Sequence, residues 1–151
     1  MRARRTRWIA MAWVLAAMGV AGEPSSRAEE KASAEALVVF VNKEVGADAL
    51  TVEEIRQIFL RQRTTWAGGQ RIACIDTRPG APAREAFRTR VLKMTADEEK
   101  RYWQEQHIKG EATEPPTFSD TVRAVFMLKG GIGYSLRKDI KGSAVKIVRE
   151  L

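Results

Sequence analysis

The chain has 151 residues, with 26 Lys and Arg against 19 Asp and Glu and a formal net charge of +7. Five of those arginines and one glutamate fall within residues 1–28, so the remainder carries only +3, too little for the dense basic face of phosphodiester-binding domains, and nucleic acid is excluded as a partner. One cysteine, Cys74, rules out an internal disulfide, and one histidine, His107, leaves no His/Cys cluster for a transition metal and no partner set for nucleophilic catalysis.

Arg2, Arg4, Arg5 and Arg7 precede an uncharged apolar run from Trp8 to Ala21, the order of charged and apolar regions in a secretory signal peptide. The run is shorter than the roughly 20 residues that span a bilayer as a helix, which disfavours a permanent anchor. Ser26 and Ala28 supply the small residues of a cleavage site, and Gly19 and Ala21 offer an earlier one. No cysteine follows the run to accept lipid. The expectation is a periplasmic protein without stable membrane insertion: residues 1–28 a cleaved signal peptide, 29–36 a flexible lead-in, and 37–151 one domain.

Ala36 to Val41 is an unbroken apolar run rich in β-branched residues, typical of a strand covered on both faces. Thr51 and Glu54 form a capping box, and Val52, Ile55, Ile58 and Phe59 follow at helical spacing. Trp66, Gly68 and Gly69 supply a turn, and Arg71 to Asp76 reads as a second buried strand containing Cys74, a buried and inert thiol. Strand, helix and strand predict a βαβ unit with parallel strands.

Pro82 suits the first turn of a second helix, with Phe87 and Val91 inward and an end near Lys93. Thr95 and Glu98 form another capping box, opening a charged helix that carries Tyr102 and Trp103. On that helix Asp97, Glu98 and Glu99 read as charges favoured by the helix dipole, and His107 as bordering the core one turn after Trp103. Trp66 reads as a core anchor, or as the wall of a ligand surface. Pro115 and Pro116 close a loop, and Ser119 or Asp120 caps a fourth helix carrying Val122, Val125 and Phe126 and stopping at Gly130 and Gly131. The glycines before and after Ile132 look like a phosphate-cradling loop but follow a helix and precede a strand, the reverse of the order that cradles phosphate. Ile132 to Ser135 and Ala144 to Val148 complete an α/β fold with a mixed sheet of about four strands and packed helices.

Several short motifs occur in a telling order: Val41-Asn42-Lys43, Ile58-Phe59-Leu60 with Trp66 and Gly69, Arg84-Glu85-Ala86-Phe87, Tyr102-Trp103, Gly110 with Pro116, and Gly131-Ile132-Gly133-Tyr134. Over most of residues 37–148 the chain resembles the small phosphate-type periplasmic binding proteins. The resemblance implies one lobe of a type II periplasmic binding fold. It also implies that the loop before the second helix supplies the anion ligands, here Thr77, Arg78, Gly80, Ala81, Ala83 and Arg84. A helix N-terminus, with unpaired N–H groups and partial positive charge, suits an oxyanion such as phosphate or sulfate.

The loop departs from the family pattern. Ala81 and Ala83 stand where the family has hydroxyl-bearing residues, and Pro82 removes an N–H. Hydrogen bonds to a charged group are worth about 1.5 to 3 kcal/mol each, so three losses are enough to abolish micromolar affinity. Arg61 and Arg63 stand where the family often has a glycine and a lysine. The plain alternative makes Arg78 and Arg84 surface charges paired with Glu85 or Asp76. The chain is thus expected to be an exported solute-binding-like module with a degraded anion loop, no catalytic residues and no cofactor. The rival expectation is an interaction module that docks on an envelope protein or on itself.

Overall fold

The computed structural model describes residue 31 and residues 35–151. The segment read as a signal peptide and most of the expected lead-in lie outside the described residues. Strand β1 (Leu37–Val41) is buried along its whole length because hydrophobic clusters cover both faces of the sheet there and strands flank both its edges. The strand order is β2-β5-β1-β6, with β2 at Ala73–Cys74, β5 at Gly131–Leu136 and β6 at Lys146–Glu150. Leu37, Val39 and Val41 pack into the larger core on one face of the sheet, with Ile55, Ile58, Phe59, Phe87 and Tyr134. Phe40 points the other way, into a smaller cluster with Ile75, Val125 and Val145.

Among the described residues, four α-helices flank this sheet. Helix α1 (Val52–Phe59) opens on the Thr51–Glu54 capping box and α3 (Ala96–Lys109) on the Thr95–Glu98 box, both reciprocal as the sequence predicts. Helix α2 (Pro82–Phe87) takes Pro82 in its first turn and runs on through a wide turn at Arg88–Leu92, which left-handed Lys93 ends at φ 53°. Helix α4 (Thr121–Met127) is capped by Asp120, whose Oδ1 accepts from the Arg123 N–H at 2.9 Å. It stops short of Gly130 and Gly131. Those glycines serve close packing: a Cβ on Gly130 would lie 2.3 Å from the Arg71 carbonyl oxygen.

The βαβ expectation is corrected. Strand β1 runs antiparallel to β5 whereas β2 runs parallel to β5, so β1 and β2 are antiparallel to each other and are not neighbours. The chain reverses after α1, where Arg61 takes φ 64°, and β2 docks on β5 instead of β1. The expected strand Arg71 to Asp76 also divides. After β2 the chain leaves the sheet, and β3 (Asp76–Thr77) pairs in parallel with a strand the sequence did not reveal, β4 (Thr117–Phe118). Phe59, Phe87 and Tyr134 form an aromatic cluster between sheet and helices, the last two stacked with centroids 3.9 Å apart. Trp66 is a core anchor, its Nε1–H donating to the Gly130 carbonyl at 3.0 Å. Cys74 is buried, and burial pushes its thiol up to about 11, in keeping with an inert group. No described helix is long and apolar enough to cross a membrane.

Candidate functional site

The segment between β3 and α2 turns at Gly80, whose φ of 79° suits a residue without Cβ, and enters α2 with Ala81 as its N-cap. Ala81 supplies no side-chain cap and Pro82 no N–H, while the Arg84 N–H bonds back to the Ala81 carbonyl at 2.9 Å. The N–H of Ala83 is the donor this first turn leaves without a partner among the described residues.

Thr77, Arg78, Ala81 and Ala83 line a cleft of about 630 Å³. Its remaining walls come from the start of α4, at Ser119 to Thr121, and from the end of β5 and the turn beyond it, at Ser135, Lys138 and Lys141. Thr77 and Ser135 are buried, whereas Arg78, Lys138 and Lys141 are exposed and form no ion pair among the described residues. Asp120 and Asp139 add carboxylates to the rim, the first engaged in capping α4. Of the six loop residues named from the sequence, four meet at this cleft. Gly80 shapes the turn without lining it.

Arg84 is the sixth, and the fold turns it away. It is 5% exposed, and its guanidinium donates to Asp76 Oδ2 at 2.6 Å, to the Thr77 carbonyl at 3.1 Å, to Glu99 at 3.2 Å and to Glu114 at 2.9 Å. Glu99 also accepts from Arg88 Nε at 2.6 Å, and Arg88 reaches Glu85 at 2.6 Å. The Tyr134 hydroxyl and the Thr77 N–H both donate to Asp76 Oδ1. The expectation that Arg84 is a surface charge is therefore corrected, although its pairing with Asp76 holds. Arg78 is the exposed one of the two.

Burial works against charge on Arg84, but the Asp76 and Glu99 carboxylates outweigh it and hold the guanidinium above its ordinary range. Burial likewise pushes Asp76 and the Tyr134 hydroxyl upward. Asp76, Glu99 and Glu114 place carboxylate oxygens within 4.8 Å of one another, the spacing of a cation site, yet Arg84 bridges all three and supplies the positive charge there. Glu99 thus anchors a buried network as well as favouring the start of α3.

His107 is exposed and does not border the core, a second correction. It and Trp103 line a groove of about 670 Å³ along α3, on the Arg84 side of the loop. Ser135, Lys138 and Lys141 carried no local signal of a shared site, because it is the parallel pairing of β2 with β5, distant in sequence, that leads the β3–α2 loop alongside the end of β5.

No family model matches the chain. Its fold is found in an ABC-type phosphate transport receptor from Vibrio cholerae, at 18% identity and a TM-score of 0.58, over 76% of this chain and 45% of that one. A putative phosphate ABC transporter substrate-binding protein with bound phosphate, from Clostridium perfringens, matches at 17% identity and 0.57, over 76% and 44%. PstS from Borrelia burgdorferi matches at 14% and 0.56, over 80% and 52%. The chain therefore has the fold of part of a phosphate-type periplasmic binding protein and spans about half the length of these structures. Identities this low establish fold alone.

Proposed function

We propose that the chain is an exported binding module, not an enzyme, that takes an oxyanion of the phosphate or sulfate type in the cleft between the β3–α2 loop and the turn after β5. Residues 1–28 serve as its cleaved signal peptide, and the periplasm is its compartment. The observation that carries this reading is the convergence of Thr77, Arg78 and the start of α2 on a cleft of about 630 Å³. Support comes from the fold shared with proteins described as phosphate receptors. Inorganic phosphate binds weakly here, because Ala81, Pro82 and Ala83 have removed hydroxyl and N–H donors from the loop. Calorimetric titration of the exported protein with phosphate and sulfate tests it. Millimolar affinity lost in Arg78→Ala is the expected result, and no heat at millimolar ligand in either protein would retire the reading.

A second reading makes the scaffold a protein-interaction module that associates with a second copy of itself. Phe118, Phe126, Met127 and Leu128 are large apolar side chains left 38%, 53%, 68% and 40% exposed around α4. Sedimentation decides it: a strictly monomeric protein across a hundredfold concentration range excludes self-association.

A further inference from the structure

The cleft contains more polar equipment than a bare tetrahedral anion can use. Thr77 is 8% exposed and Ser135 9% exposed, so both hydroxyls belong to residues held largely inside the fold. Thr77 commits its N–H to Asp76 and its carbonyl to Arg84, and Ser135 commits its backbone to the sheet. Neither hydroxyl bonds another described residue, and neither is sealed off, since the one fully buried side-chain polar atom without a partner among the described residues is Arg56 Nε. Both open on the same cleft.

Cations reach that cleft from two separate segments. Arg78 comes from the β3–α2 loop, and Lys138 and Lys141 come from the turn after β5. A tetrahedral oxyanion takes the room of two or three waters at about 30 Å³ each. The cleft, at about 630 Å³, is several times larger and falls in the size range of sites for organic ligands.

We infer that the ligand is an organic molecule carrying two anionic groups, one held at Thr77 and Arg78 and the other at Lys138 and Lys141, with Ser135 hydrogen-bonding the part between. Asp139 on the rim accepts hydrogen bonds from hydroxyls of that body and opposes a third negative group. This rests on the oxyanion reading of the cleft and extends it by naming the class of ligand.

Titration calorimetry of the exported protein with 3-phosphoglycerate, glycerol 3-phosphate and inorganic phosphate separates the two claims. The expected order has 3-phosphoglycerate about tenfold or more tighter than the other two, the increment of two exposed ion pairs. The double variant Lys138→Ala/Lys141→Ala removes that advantage and brings 3-phosphoglycerate to the affinity of phosphate, whereas Arg78→Ala weakens all three. Ser135→Ala weakens the two organic ligands only, and a thermal melt of each variant checks folding. Equal affinity for 3-phosphoglycerate and phosphate, or an advantage that survives the double lysine variant, overturns the inference and leaves the oxyanion reading standing. No binding of any of the three removes both.

Discussion

Ala81 stands half-buried at the start of α2 on the cleft, so a hydroxyl placed there would meet the anion, whereas Ala83 packs into the larger core. Ala81→Ser is predicted to tighten phosphate by about tenfold or more, the worth of one hydrogen bond to a charged group, as read by calorimetry. Unchanged affinity would mean that the anion does not sit at this helix start. Arg84 belongs to stability, not to the ligand. With its side chain 6% exposed between Asp76 and Glu99 at 9% each, removing the guanidinium takes away the one cation paired with buried Asp76 and leaves Glu99 with Arg88 alone. Arg84→Met is predicted to cost about 3–5 kcal/mol in urea unfolding, and a loss below about 1 kcal/mol would show that the carboxylates relax without it. Arg61 works the other way. At φ 64° it occupies a region that costs a residue with Cβ about 1–2 kcal/mol, against about 0.5–1 kcal/mol of extra unfolded-state entropy for glycine. Arg61→Gly should therefore raise the melting temperature slightly, and a lower one would show that the arginine side chain contributes more than its backbone strain costs.

The helices begin on devices that titrate. Hydrogen bonds from the backbone and then the hydroxyl of Thr51 hold Glu54 below the ordinary carboxylate range, and Thr95 does the same for Glu98. A carboxylate whose folded pKa is depressed contributes stability above its unfolded pKa and loses it as pH falls through the folded value. Between about pH 5 and pH 3 the melting temperature should fall, and fall less steeply in Glu54→Gln/Glu98→Gln, whose amides keep the cap but do not titrate. Asp76, raised by burial, pulls oppositely, but equally in both proteins, so the difference between the two curves reports the boxes alone. Identical slopes would sink this assignment. Both boxes were legible in the sequence because every group involved lies within three residues of its partner. The direction of β2 was not, since its partner β5 lies far along the chain and nothing local in Ala73–Cys74 distinguishes the two orientations. The site divides on the same line: Pro82 marked where α2 starts, and the family resemblance pointed to the loop before it. The inward turn of Arg84 depended on Glu99 and Glu114, which the fold delivers from elsewhere.

At the scale of the whole molecule, the sheet brings the first and last strands of the domain together. Strand β1 lies between β5 and β6, and Leu37 exchanges backbone hydrogen bonds of 3.1 and 2.8 Å with Leu151. Beneath them Val148 packs into the larger core and Val145 joins Phe40 in the smaller one. A chain ending at Ser143 would lose β6 and both valines, leaving the fully apolar β1 as an open edge with unpaired N–H and C=O groups. Contacts between strands so distant in sequence form only after a large loop has closed, so the central sheet cannot be completed until the last residues are available. The protein is predicted to unfold in one cooperative transition, whereas the chain ending at Ser143 should show no such transition and should aggregate. Circular dichroism during a thermal ramp checks both. A shortened chain that melted cooperatively would show that β5 and the two cores hold β1 without its outer neighbour, and would make β6 an accessory strand instead of the closing one.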